Sequence, residues 1–301
     1  MGVDLGAIVE KNEIGLDALG GKVIAVDAFN TIYQFLSIIR QRDGTPLIDS
    51  KGNVTSHLSG LFYRNIKLME KGVRLVYVFD GKPPSWKENT IKGRSEIKEE
   101  AKRKWEEALR EGRLDDARKH AQATSRATPE IIDESKELLS AMGIPCVQAV
   151  SEGEAEAAYL VMNGRADYAA SQDYDALLFG APRLIRNLTL SGKRRLPGRG
   201  RFADVHTELV VLDDELRRLG ITREQLVWIA LLSGTDFNEG VRGIGPKKGL
   251  KLVKECASLE EVHSKSRATE DLELWRNIAG FFINPDVSDA GIVFGLSLIH
   301  I

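Results

Sequence analysis

The stretch Ser-Gln-Asp-Tyr-Asp at residues 171–175 sets two carboxylates, Asp173 and Asp175, two positions apart at the end of an apolar run. One aspartate there is ordinary turn chemistry, because its side chain bonds nearby backbone N–H groups. A pair of them raises the question of which other acids share their place. Residues 22–27 (KVIAVD) form an apolar run closing on Asp27, and residues 73–80 (VRLVYVFD) repeat the design with Asp80. Residues 144–150 (IPCVQAV) are followed by Ser-Glu-Gly-Glu, which supplies Glu152 and Glu154. Asp236 closes an apolar helical stretch in Leu-Leu-Ser-Gly-Thr-Asp. Seven carboxylates brought together would raise one another's pKa values and destabilise the fold. A hard divalent cation resolves the conflict, since Mg2+ takes oxygen ligands and keeps several waters. Two such ions about 4 Å apart activate a water and stabilise the leaving oxygen of a phosphodiester. Some of the seven acids would then act through bound water. There is no Walker A loop, no CxxC pair and no HExxH motif, and the five histidines (57, 120, 206, 263 and 300) are scattered, which argues against zinc.

The elements that must position these acids can be read from the same runs. Residues 166–173 (ADYAASQD) make the fourth apolar run. Between the runs lie helical stretches: residues 29–41 have helical spacing, and residues 128–143 carry Pro129 near their start and Gly143 past their end. Apolar strands alternating with helices imply a mostly parallel central sheet flanked by helices, an α/β fold. Ligands of such sheets bind outside the carboxyl ends of the strands. Asp27, Asp80 and Asp173 all stand at that edge. Ser151 and Glu154 have the Ser-x-x-Glu spacing of a capping box, which accounts for Glu154 structurally but leaves Glu152 unexplained. If residues 173–175 are extended, alternation turns Asp173 and Asp175 to one side.

Length and charge leave room for such a centre. The chain has 301 residues, 43% of them hydrophobic, enough for one large domain or two intimate ones. Its 44 acidic and 42 basic residues give a formal net charge of -2. The positive charge is nonetheless segregated: residues 183–201 and 242–254 contain basic residues and no acidic ones. Residues 86–127 are charged, with both signs at helical spacing. Their bland interpretation is a solvated helix pair held by i,i+4 pairs, but an insertion of this size is costly unless functional. Gly243, Gly245 and Pro246 form a hairpin between helices, with Lys247, Lys248 and Lys251 following. Its backbone N–H groups and lysines suit sequence-independent binding of duplex phosphates. The plainer alternative is a helix pair with solvated lysines. Two cysteines, Cys146 and Cys256, make no disulfide framework and point to a reducing, intracellular protein. No apolar run approaches the roughly 18 residues of a membrane span. The N-terminus lacks a signal-peptide core, and Gly6 breaks the myristoylation pattern.

The segments VIAVDAFNTIYQFL, VYVFDGKPP, EGEAEAAYL, SQDYDALLFG, LLSGTDF and GIGPKKGL occur in order over roughly residues 1–260. Together they resemble the flap structure-specific endonucleases of archaeal and eukaryotic replication. The resemblance implies that Asp27, Asp80, Glu152, Glu154, Asp173, Asp175 and Asp236 bind two Mg2+ ions, with Mn2+ as a substitute. It also implies that the charged insertion is a helical arch whose Lys87 and Arg94 face the scissile phosphate, so that Lys87, Arg94 and Asp80 are the catalytic set. Seven residues separate Lys87 from Arg94, about two helical turns, which puts both on one face. Tyr33 matches the residue that stacks on the terminal base at the junction, and Arg40 and Arg64 match DNA contacts. The implied organisation is an N-terminal nuclease region (1–98), the arch (99–127), an internal nuclease region with a helix–hairpin–helix-type DNA-binding element (128–258) and a C-terminal helical region (259–301). The implied partner is branched DNA with a 5′ flap, and family members cut near the junction to leave a ligatable nick. After about residue 285 the sequence departs from the family. The clamp-binding peptide Gln-x-x-apolar-x-x-aromatic-aromatic is not recognised, nor is the basic tail of eukaryotic relatives, so the archaeal type is expected and sliding-clamp binding is in question. Two other classes compete with this one: a non-catalytic branched-DNA scaffold of the same fold, which has no reason to keep seven acids near a polyanion, and an RNase-like metal nuclease, which would lack the hairpin.

Overall fold

The computed structural model describes residues 2–84, 87–189, 192–195, 202–288 and 291–295, and among these it leaves the side chains of residues 88–97, 192–195 and 202–204 undescribed. The strands are β1 (Asn12–Glu13), β2 (Val23–Asp27), β3 (Arg74–Phe79), β4 (Cys146–Gln148), β5 (Tyr168–Ala170), β6 (Arg183–Arg186), β7 (Gly192–Arg195), β8 (Phe202–Val205) and β9 (Glu208–Val211). The helices are α1 (Ala28–Ile38), α2 (Ser56–Glu70), α3 (Glu88–Arg110), α4 (Leu114–Gln122), α5 (Pro129–Ala141), α6 (Gly153–Met162), α7 (Asp175–Leu178), α8 (Leu212–Leu219), α9 (Arg223–Ser233), α10 (Pro246–Lys254), α11 (Leu259–Ser266) and α12 (Leu272–Ile283).

Seven strands form one sheet in the order β1-β9-β6-β5-β2-β3-β4. The five strands from β6 to β4 pair in parallel, while β9 and β1 are antiparallel additions at one edge. The four apolar runs read from the sequence are β2, β3, β4 and β5. The edge strands β6, β9 and β1 were not foreseen: each carries charged residues, and no continuous apolar run marks them. The central strands are apolar throughout because both faces are covered. Ala25, Val76, Val78 and Val147 face the core built by α6, α7, α9 and α12. Ile24, Val26, Leu75, Tyr77 and Phe79 face the core built by α1, α2 and α5.

The chain runs from β2 outward through β3 to β4, then returns to the other side of β2 for β5 and β6. The order therefore reverses between β2 and β5, which is where a sheet of this kind opens a crevice at its carboxyl edge. Helix α5 forms as its sequence dictates: Thr128 caps it by accepting from the Ile131 N–H at 3.4 Å, and Gly143 past its end takes φ +74°. The charged insertion is the helix pair α3 and α4, which pack on each other. The buried alanines Ala101 and Ala108 on α3, and Ala117 and Ala121 on α4, explain how two helices with few large apolar residues can pack. Helices α9 and α10 pack across the glycine-rich hairpin. A Cβ on Gly249 would lie 3.3 Å from Ile229 Cγ2 and 3.5 Å from Leu232 Cδ1. Among the described residues, no helix is long and apolar enough to cross a membrane.

Candidate metal centre and nucleic-acid interface

The seven acids come from the elements that meet at the switch point. Asp27 ends β2 and caps α1, its Oδ1 accepting from the Asn30 N–H at 3.0 Å. The Asn30 side chain donates to Asp173 Oδ2 at 2.9 Å and accepts from the Gln172 N–H at 3.3 Å, which ties the end of β2 to the turn after β5. Asp80, one residue beyond β3, accepts from the Gly153 N–H at 2.7 Å. A Cβ on Gly153 would stand 2.8 Å from the same carboxylate oxygen, so this close approach requires glycine. Glu152 occupies the cap position of α6 and receives Lys87 Nζ at 2.6 Å. Glu154 lies in the first turn of α6, and its Oε1 is buried without a partner. Asp175 starts α7 and accepts from the Val3 N–H at 2.7 Å. Gly2 approaches so closely that its Cβ would meet Asp175 Oδ1 at 2.5 Å. Asp236, in the loop after α9, bears electrostatically on Asp80, Lys87 and Asp175.

Two local expectations fail. The Ser151–Glu154 capping box does not form: the cap residue is Glu152, with no side-chain cap bond, and Ser151 Oγ is aimed at the Asp286 carbonyl at 3.5 Å. The first helical N–H is given to Asp80 instead. Asp173 and Asp175 do not alternate along an extended segment either, because β5 stops at Ala170 and Asp175 already begins a helix. Each is turned by its own partner, Asn30 for one and the Val3 N–H for the other. Sequence reasoning missed Asn30, Gly153 and the N-terminal Gly2–Val3. Asn30 had a signal: it stands three positions after a strand-ending aspartate, at the capping offset. Gly2 and Val3 had none, because their contact spans the length of the nuclease core.

Repulsion and burial leave their mark on the acids. Burial, then the charges of Asp80, Asp173 and Glu152, hold the Asp27 carboxyl well above the usual range, against the Asn30 N–H that lowers it. Burial and Glu152 push Asp80 up to about 6, opposed by the Gly153 N–H and Lys87. Burial followed by Asp236 and Asp173 pushes Asp175 up to about 8. Glu154 is raised by burial and by Asp175, Asp27 and Asp173. Burial pulls the Lys87 ammonium down, but Glu152, Asp236 and Asp80 together lift it above its ordinary value.

These neighbours suit divalent metal. Among the described residues, no three His, Cys, Asp or Glu side chains close into a ligand cage as they stand. The acids are instead spaced at charge-coupling range, as a site that keeps waters on its cation requires. The donor set is all oxygen, Glu154 offers an orphaned buried Oε1, and the acids raise one another's pKa values. The residues fit a hard cation.

The residues expected to face DNA lie on four elements. Lys87, immediately before α3, is bound to the site carboxylate Glu152, and its Nζ lies 5.4 Å from the centre of the Phe237 ring. The Arg94 side chain lies outside the described residues. Tyr33 on α1 is covered by Lys98, whose Nζ stands 4.7 Å above the ring. Arg64 is partly exposed on α2. The Arg40 guanidinium is turned inward, donating to the Leu36 carbonyl at 2.7 Å, the Gly44 carbonyl at 2.8 Å and Ser125 Oγ at 3.0 Å. In the hairpin, Gly243 takes φ +84°, open to glycine, and Gly245 caps α10. Lys247 and Lys251 are exposed, as is Lys248, whose Nζ donates to the Gly243 carbonyl at 2.8 Å and ties the turn to the helix.

A parallel sheet with acids at its switch point, a helix pair inserted after β3 and a hairpin joining α9 to α10 define the XPG class. The XPG N-terminal domain matches residues 1–101 and the XPG I-region matches residues 143–236. The flap endonuclease 1 of Pyrococcus horikoshii is 54% identical over 290 residues, covering 96% of this chain and 83% of that protein. The solved flap endonuclease-1 of Methanococcus jannaschii superposes with a TM-score of 0.77 at 40% identity, covering 99% of this chain and 90% of that one. The catalytic core of Rad2, solved in complex with DNA substrate, gives a TM-score of 0.68 at 25% identity, covering 98% of this chain and 90% of that one. The chain belongs to the flap endonuclease 1 family.

Proposed function

We infer that the chain is a structure-specific 5′ flap endonuclease with 5′–3′ exonuclease activity, which removes 5′ flaps in DNA replication, including Okazaki-fragment maturation, and in repair. The observation that carries this reading is the ring of mutually repelling acids at the switch point with Lys87 held on Glu152 at 2.6 Å, in a chain of this family. Asp27, Asp80, Glu152, Glu154, Asp173, Asp175 and Asp236 would hold two Mg2+ ions, with Mn2+ as a substitute. Bound there, such ions lower the pKa of a water and stabilise the leaving oxygen of the phosphodiester.

The protein's own groups set the geometry. Asn30 fixes the relation between Asp27 and Asp173, and the Gly153 N–H fixes Asp80. Lys87 brings a positive charge to the edge of the site, where it can stabilise the charge that builds on the phosphate oxygens. Arg94 is assigned the same task from the sequence. Tyr33 offers its ring to the terminal base of the duplex at the junction, and Arg40 and Arg64 are expected DNA contacts. Gly243, Gly245, Lys247, Lys248 and Lys251 hold duplex phosphates without reading sequence. The four regions 1–98, 99–127, 128–258 and 259–301 divide this work as read from the sequence. The partner is branched DNA. The family's sliding clamp is a further expected partner, although its binding peptide is not recognised in this sequence. The expected location is intracellular, and cytoplasmic in an archaeon.

One assay tests the reading: a labelled 5′-flap substrate with Mg2+, with chelator, and beside linear duplex and single-stranded RNA. Cleavage near the junction that requires Mg2+ and prefers the flap is expected. Binding to the flap with no cleavage under any metal would make the chain a scaffold of the same fold, and cleavage of the RNA alone would make it a nuclease of another substrate class.

A further inference from the structure

Helix α3 is laid across the molecule on three supports. Lys87, at its start, meets Glu152 at 2.6 Å. Lys98 lies over the Tyr33 ring of α1 at 4.7 Å. Trp105 Nε1 donates to the Asp43 carbonyl at 3.2 Å. Positions 98 and 105 lie 11 and 18 residues beyond 87, close to three and five whole turns at about 3.6 residues each. The three supports therefore fall on one stripe of the helix. The first and last are separated by roughly 27 Å at about 1.5 Å per residue.

The third support is part of a built seat. Residues 40–46 form a closed turn, with the Gln41 N–H on the Thr45 carbonyl at 2.8 Å, the Gly44 N–H on the Gln41 carbonyl at 3.1 Å and an antiparallel bridge between Arg40 and Pro46. Gly44 takes φ +90° and touches the helix pair without a side chain: a Cβ there would stand 2.6 Å from Ala121 Cβ on α4, 3.2 Å from Arg118 Cα and 3.2 Å from Trp105 Nε1. Arg40 staples the arrangement. Its guanidinium joins the last turn of α1, through the Leu36 carbonyl, to the Gly44 carbonyl and to Ser125 where the chain leaves α4. Ser37 adds bonds to Ser125 Oγ at 3.0 Å and to the Gln122 carbonyl at 3.2 Å.

We propose that the turn at residues 40–46 is the seat that fixes the angle of α3, and through it the position of Lys87 against the carboxylates, with Arg40 as a positioning residue of that seat. The proposal rests on the flap-endonuclease reading of the site. A stiff helix held near one end transmits a small tilt to its far end. A displacement of about 1 Å at a reacting group costs up to about a hundredfold in rate. The seat thus links a turn remote from the acids to the chemistry without touching substrate.

The test alters the seat and leaves every charge of the carboxylate site in place. Gly44→Ala inserts one methyl group between the turn and α4. Trp105→Phe keeps a ring but deletes the bond to Asp43, and serves if Gly44→Ala does not fold. Arg40→Ala removes the staple. For each, single-turnover cleavage of a 5′ flap and the Kd for the same DNA are measured with Mg2+, together with the indole N–H resonances of the four tryptophans. Gly44→Ala is expected to slow single-turnover cleavage about tenfold or more, to leave the Kd unchanged and to shift the Trp105 resonance. Trp105→Phe should slow cleavage at unchanged Kd, and Arg40→Ala should slow cleavage whether or not its Kd changes.

Cleavage by Gly44→Ala or Trp105→Phe at the wild-type rate would overturn the seat. A weaker Kd with an unchanged rate in Arg40→Ala would make Arg40 a DNA contact and remove it from the seat. The wild-type control separates the two levels, because a wild type that leaves the flap uncut overturns the underlying reading and not the geometry of the seat.

Discussion

The acids at the sheet edge and the helix pair α3–α4 hold their charges in opposite ways. At the edge, Asp27, Asp80 and Asp175 each accept a backbone N–H from another element or the next turn, at 2.7–3.0 Å, so the backbone itself fixes them. Their charges are of one sign, and burial raises their pKa values. On the helix pair, acids and bases alternate on exposed faces, as with Arg103 between Glu100 and Glu107, or Arg113 between Glu111 and Asp116. Such pairs are largely screened by solvent and contribute little. The first region stores repulsion that calls for a cation. The second is nearly neutral in itself and acts through the few side chains that leave it, above all Lys87. The lesson is that charge carries chemistry where the fold forbids it to relax, and carries solubility where it does not.

Breaking the edge should have the largest effect. Asp80→Ala is expected to abolish flap cleavage while leaving DNA binding largely intact, measured by single-turnover cleavage and by Kd under the same conditions. A variant that still cuts near the wild-type rate would remove Asp80 from the metal assignment. Breaking the link between the two regions comes next. Lys87→Ala and Arg94→Ala should each slow single-turnover cleavage by roughly a hundredfold, by analogy with the loss of one oxyanion donor, with little change in Kd. Loss of affinity at an unchanged rate would assign them to capture of the flap.

A third change leaves both regions alone. Replacing Lys247, Lys248 and Lys251 with alanine should weaken binding to every duplex-containing substrate alike. It should also flatten the log–log salt dependence by about 0.9 for each phosphate the protein no longer neutralises. The Lys248 bond to the Gly243 carbonyl adds some loosening of the turn. An unchanged slope would mean the lysines are merely solvated.

The smallest effect sharpens the comparison through pH. Asp80 and Asp175 titrate at about 6 and about 8 in the folded chain, against an ordinary 3.8. Without metal, the folded state therefore holds protons that the unfolded chain has released. The stabilising contribution is complete below about pH 4 and is lost as pH rises through about 6 and about 8. Thermal midpoints in chelator should fall across that window, and Mg2+ should flatten the fall. Equal slopes with and without Mg2+ would mean that the cation does not meet these groups.

Much of this was legible in the sequence because strand ends are legible. Asp27 and Asp80 close continuous apolar runs, and the parallel-sheet rule puts such ends on one edge. The helix pair and the hairpin were equally plain, as a charged insertion and a Gly-x-Gly-Pro turn. What escaped depends on contacts between distant segments. The Ser151–Glu154 spacing matches a capping box, yet Asp80 takes the helix's first N–H and the box does not form. The Val3 N–H reaches Asp175 across 172 positions, and no local pattern encodes that. Strands β6 (RLIR), β9 (ELVV) and β1 (NE) each carry charged residues, so no continuous apolar run marks them. Arg40 matched a DNA contact in the sequence, and the three internal acceptors that engage its guanidinium come from segments no local pattern joins.

The central claim is that the acids at the switch point repel one another until a divalent cation compensates them. The most direct measurement is the thermal midpoint of the wild type and of Asp80→Ala, each in chelator and in Mg2+. The account predicts that Asp80→Ala melts in chelator at or above the wild-type temperature, because one repelling charge is gone, and that Mg2+ raises its midpoint less than it raises that of the wild type. A variant that melts lower in chelator and gains the full Mg2+ shift would contradict it.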